Sequence, residues 1–155
     1  MPLLPESTND RYEGSIASCR FLAVLAVLTI VPGSIHAFLP DGGVVTIAGL
    51  DPGPATTMIV GLFAWAGATQ IVHGLAMLAV ALRYRTLVPV YLALVVVERL
   101  VMTLNWWVLK PGDTGHRPPE VYATLVMLPL VAWFLARSLR RRGNRDPSPI
   151  SGYSR

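Results

Sequence analysis

The chain has 155 residues, 53% hydrophobic and 14% charged, with a mean hydropathy of +0.52. A soluble domain carries about 25% charged residues, so this composition excludes an ordinary water-soluble protein and, away from the ends, a disordered one. Thirteen Lys and Arg against nine Asp and Glu give a net +4, and the one cysteine, Cys19, excludes an internal disulfide or a multi-cysteine metal site.

Residues 1–16 are polar, contain Pro2 and Pro5, and read as a flexible lead. The first apolar stretch covers about residues 21–39, and roughly 20 helical residues cross a bilayer core. Glu6, Asp10 and Glu13 precede it and no small-x-small site follows cleanly, so it is expected to be a retained span, not a cleaved signal peptide. Cys19 reads as a small interfacial residue, and Pro32 is expected to kink the helix. Residues 40–55, PDGGVVTIAGLDPGPA, form a Gly- and Pro-rich loop. Its apolar piece, 44–50, is too short to span; it lies on the interface or folds over the bundle as a lid.

The second apolar stretch covers about 56–82, and Arg83, Tyr84 and Arg85 turn it tightly into the third, about 87–109. A second loop, KPGDTGHRPPE, ends in Pro118 and Pro119, a helix-start signal that Glu120 complements. The fourth stretch covers about 121–140, where Arg137 and Arg140 snorkel from the last turn. Residues 142–155 read as a disordered basic tail, leaving 17–141 as the membrane domain. Backbone groups in lipid must bond within their own segment, so the expected fold is all-α, a bundle of four transmembrane helices.

Charge orients that bundle. Arg11 and Arg20 precede the first span, Arg83 and Arg85 fill the second connection, and Arg137, Arg140, Arg141, Arg142, Arg145 and Arg155 follow the fourth. The other side holds only Lys110 and Arg117. The positive-inside rule therefore predicts both termini in the cytoplasm, as a multi-pass protein of a bacterial inner (plasma) membrane. The basic cluster around Arg137 reads as a topology anchor, with a specific lipid or partner site as the sharper alternative. Nucleic-acid binding has no support, because these basic residues are the topology signal.

Gln70 and His73 in the second span, and Glu98, Arg99 and Asn105 in the third, stand at membrane depth. A charge at mid-bilayer costs at least about 2.5 kcal/mol, so such groups face protein or water. At a rise of about 1.5 Å per residue, Gln70 and Glu98 share a level near the midplane, with His73 about one turn further in. The tight second connection predicts an antiparallel hairpin whose midpoints are neighbours, bringing the four groups together. Glu98 and Arg99 are adjacent on one helix and compensate each other only partly.

Ala66, Gln70, His73 and Met77 share one stripe, while Ala64, Gly67, Ala68 and Gly74 permit close helix approach. In the first span Thr29, Gly33 and His36 share a face, with His36 near the level of Asn105 and Trp106. The expected acid–base pair is Glu98 with His73; Gln70, Arg99, Asn105, Trp106 and His36 are the expected ligand contacts. Each has a plainer reading: Gln70 as interhelical glue, His73 and His36 as packed histidines, Glu98 with Arg99 as a structural pair, Asn105 and Trp106 as an outer belt. His36 and His73 are too far apart in depth to share one metal ion, and no metal site is expected.

The segment GATQIVHGLAMLAVALRYR, followed by LVPVYLALVVVERL, resembles hairpins of the small four-helix bacterial inner-membrane proteins grouped as DoxX-like. It is also similar to the emopamil-binding and sterol-isomerase group, where His and Glu on membrane helices line a lipid-sized cavity. That resemblance implies such roles for His73 and Glu98 alone, since a second acid in the bundle is missing. The resulting expectation is a mid-membrane site that binds or acts on a quinone, isoprenoid or lipid-like molecule, with no particular cofactor indicated. The alternatives are an accessory subunit of a larger membrane complex and an oligomeric proton or ion conductor.

Overall fold

The computed structural model describes residues 3–110 and 119–140, without the side chains of residues 119 and 120. Expectations for His116, Arg117, the Glu120 side chain and the tail 142–155 lie outside the described residues. Four long helices carry the fold: α1, Ile16–Phe38; α2, Thr56–Arg83; α3, Val88–Leu104; and α4, Pro119–Ser138. A π-helical turn, Asn105–Leu109, extends α3. Short 3-10 turns, Gly53–Ala55 and Arg85–Leu87, lead into α2 and α3, and each of the four helical stretches is long and apolar enough to cross a membrane.

α1 begins five residues earlier than the apolar run. Ser18 and Cys19 are buried, the Ser18 hydroxyl donates to the Phe134 carbonyl at 2.9 Å, and Phe21 stacks on Phe134 at 4.0 Å. Packing on α4 therefore recruits polar residues into the helix, and Arg20 rides on its exposed side. α1 also continues through Pro32, which has no N–H to give to the Leu28 carbonyl.

The helices pack as two close pairs, α1 with α2 and α3 with α4. The glycines set the first pair. A Cβ at Gly67 would lie 2.5 Å from the Gly33 carbonyl oxygen and 2.6 Å from the Ala37 nitrogen. One at Gly74 would meet Ile30 at 2.5 Å. α2 and α3, though joined by the shortest connection, touch sparingly, and this corrects the expected tight hairpin. The glycine stripe of α2 is turned to α1, so α3 reaches α2 through long side chains, as where Tyr91 Oη donates to the His73 carbonyl at 3.2 Å.

The apolar core occupies the half of the bundle nearest the α2–α3 connection. It joins Leu22, Leu25 and Ala26 of α1, Met77, Val80 and Ala81 of α2, Val88, Leu92 and Val95 of α3, and Val131 of α4. The lead expected to be flexible is bonded to this end. Arg83 Nε and Nη2 and Tyr84 Oη all donate to the Pro5 carbonyl, at 3.2, 3.1 and 3.2 Å. Ser7 Oγ and the Thr8 N–H donate to the Arg83 carbonyl, and Asn9 Nδ2 to that of Leu82. These are the carbonyls a helix leaves open at its C-terminus, and no glycine follows α2 to close them.

At the opposite end, the 40–55 loop folds back on α1 and α2. Val44 and Ala48 are buried, and Asp41 accepts from the Gly43 and Thr46 amides at 2.9 Å each.

Candidate functional site

Beyond the core, polar side chains replace apolar ones. Gln70 projects from α2, and Glu98 and Arg99 from α3, into a cleft of about 280 Å³. α1 supplies Leu25, Leu28, Thr29 and Pro32 to its wall, α3 adds Met102, and α4 adds Ala123 and Met127. All four helices therefore meet there. A cleft forms because α2 is drawn to α1 by its glycines and α3 to α4, leaving the seam between the pairs unfilled.

Glu98 holds the centre. Its Oε2 lies 3.9 Å from His73 Nε2 and 3.9 Å from an Arg99 guanidinium nitrogen. Both separations exceed hydrogen-bond length. Gln70 Oε1, His73 Nε2, Glu98 Oε2 and Arg99 Nε are all buried atoms without a hydrogen-bond partner. Buried polar atoms are normally satisfied, because each orphan costs about 1–3 kcal/mol. Three of these orphans, on Gln70, Glu98 and Arg99, belong to residues that line the cleft, and the fourth, on His73, lies beside it.

His73 approaches Glu98 from a different side. With Trp65, Thr69, Val72 and Tyr91 it lines a separate groove of about 560 Å³ on the outer surface of α2 and α3. The Tyr91 ring packs 5.5 Å from the imidazole. Acid and imidazole thus meet at a wall between cleft and groove. A carboxyl and an imidazole one small movement short of a hydrogen bond are suited to passing a proton.

Four expected site residues, Gln70, His73, Glu98 and Arg99, come together; three do not. His36 is buried between α1 and the loop, its Nδ1 2.7 Å from the Gly42 carbonyl and its ring edge-on to Phe63. A carbonyl only accepts, so Nδ1 carries the proton and His36 pins the loop. Asn105 Nδ2 donates to the Val101 carbonyl of its own helix at 2.9 Å. Trp106 is 38% exposed on the π-helical turn, apart from the cleft. Their shared depth with one another did not imply a shared face.

The sequence reading missed the α4 wall. Ala123 and Met127 stand four apart on one face, but apolar residues on an apolar helix give no signal until the partner is known. Among the described residues, no three His, Cys, Asp or Glu side chains come together as a metal-binding group. Compared with models of known families, with curated proteins and with solved structures, the chain matches none.

Proposed function

We propose that this is a small polytopic membrane protein whose mid-membrane cleft binds, and handles a proton of, a hydrophobic molecule with a polar head, such as a quinone, isoprenoid or lipid-like compound. The carrying observation is the set of unpartnered polar atoms of Gln70, Glu98 and Arg99 in a largely apolar cleft, with that of His73 3.9 Å from Glu98 on its far side. Whole ligands of drug size occupy about 300–1,000 Å³, so a cleft of about 280 Å³ suits a head group with its tail running out between helices. Arg99 and Gln70 would hold the head's oxygens, and Glu98 with His73 would exchange its proton. The reading retains the four-span architecture of DoxX-like inner-membrane proteins, with both termini cytoplasmic.

The test uses purified protein and a photoreactive benzoquinone bearing a short isoprenyl tail. Labelling is expected on the cleft walls of α1 and α4. Glu98→Gln and Arg99→Gln should each weaken binding about tenfold or more, the effect of losing a hydrogen bond to a charged group. Unchanged labelling in both variants, with normal insertion, would refute the proposal. Side-chain exposures of 35% for His73 and 40% for Glu98 favour a second reading, pairing across an interface with a partner subunit. That reading gains if the protein is recovered only within a complex that Glu98→Gln releases.

A further inference from the structure

We propose that a second site, at the end of the bundle where α1 begins and α4 ends, takes the phosphate of an anionic phospholipid headgroup. A cavity of about 600 Å³ opens there, lined by Ser15, Ile16, Ala17, Trp133, Arg137 and Arg140. It is separate from the mid-membrane cleft and shares no residue with it.

Three observations converge on an anion. Arg137 is held in place: its Nε donates to Ser15 Oγ at 3.3 Å, and its guanidinium carbon lies 5.2 Å from the Trp133 ring centre. That uses one of five donors and leaves the fork for a phosphate. Next, among the described residues neither Arg137 nor Arg140 has a carboxylate partner and no acid lines the cavity. Finally, Ser15 does not cap α1 with its side chain, so Ile16 and Ala17, which line the cavity beside it, have first-turn N–H groups without intrahelical acceptors.

The surroundings favour a lipid over a free anion. Trp133 is 52% exposed and sits at the terminal turns of a membrane-spanning helix, where indoles mark the headgroup layer. The wall behind it is rigid, with Phe134 stacked on Phe21 and its carbonyl bonded to Ser18. Basic pockets between membrane helices bind anionic headgroups, and here Arg137 is held against an interfacial Trp133.

The experiment is native mass spectrometry of the full-length protein in micelles titrated with phosphatidylglycerol or phosphatidylcholine. Phosphatidylglycerol should be retained and phosphatidylcholine should not. Each arginine contributes about fivefold, so combining Arg137→Gln with Arg140→Gln should weaken retention about 25-fold. Combining Arg20→Gln with Arg85→Gln removes the same charge from the same end and should leave retention unchanged. Ala17→Asp puts a carboxylate at the rim while favouring the helix start, so it tests the site even if the arginine variant fails to insert. Equal losses in the two arginine pairs, or full retention in Ala17→Asp, would overturn the site. Displacement of the lipid by millimolar inorganic phosphate alone would overturn its assignment to a headgroup.

Discussion

Glu98 has a base on one side and a permanent cation on the other, each at 3.9 Å, and neither contact is a full hydrogen bond. Removing one charge of such a group leaves the other uncompensated, whereas removing both leaves none. Glu98→Ala should therefore destabilise the protein by about 1–3 kcal/mol, and adding Arg99→Met should recover part of that loss. Thermal unfolding of the two single variants and the double variant in detergent measures the coupling; strictly additive losses would mean that the two charges ignore each other. Asp41 offers a cleaner electrostatic case outside the membrane. Hydrogen bonds from the Thr46 and Gly43 amides, in that order of effect, lower its pKa from 3.8 to about 2. A carboxyl lowered in the folded state supports that state above its unfolded pKa and loses the support as pH falls through the folded value. Exchange protection of the Thr46 amide should thus hold at neutral pH and collapse between about pH 4 and pH 2. Asp41→Asn should lower that protection at neutral pH.

The α1–α2 pair is the element-scale determinant, because a backbone crossing admits only hydrogen where Gly33 meets Gly67. Gly67→Val must push Gly33 and Ala37 away and should cost about 1–3 kcal/mol, read as a lower unfolding temperature. Gly61 lies in the same helix with nothing within 4 Å of its added Cβ. Gly61→Ala should be neutral or stabilising by up to about 1 kcal/mol. If both changes behave alike, close approach is not what holds the pair. The lead segment makes a comparable, weaker contribution at the other end of α2. Asn9→Ala removes the donor to the Leu82 carbonyl and should cost about 0.5–1.5 kcal/mol, seen as faster proteolysis near Arg83.

Across the whole molecule, the described ends meet on one side. Thr8 bonds to Arg83 and Arg137 to Ser15, so the lead, the α2–α3 connection and the end of α4 share a face with their arginines. Reporter fusions at both termini should accordingly behave as cytoplasmic. The molecule also divides along its length, with close-packed aliphatics toward that face and the polar cleft beyond them. Ala123→Trp should fill the cleft from α4, abolishing quinone labelling while leaving the unfolding temperature unchanged or raised.

What the amino-acid sequence determined alone was everything that depends on one residue at a time or on spacing along one helix. Hydrophobic run lengths require four helices, and Gln70, His73, Glu98 and Arg99 stand out because ionisable and amide groups at that depth need partners. Axial rise placed them at neighbouring levels, which the structure bears out. What only the tertiary structure decided was rotation and pairing. Whether α2 lies against α1 or α3 is a competition between surfaces, won here by the fit of Gly67 into Gly33 over the short connection to α3. That outcome assigned His36 to the loop, Asn105 to its own helix, and Ala123 and Met127 to the cleft. Helix–helix packing in lipid depends on the shape of two surfaces together, and neither surface alone carries that information.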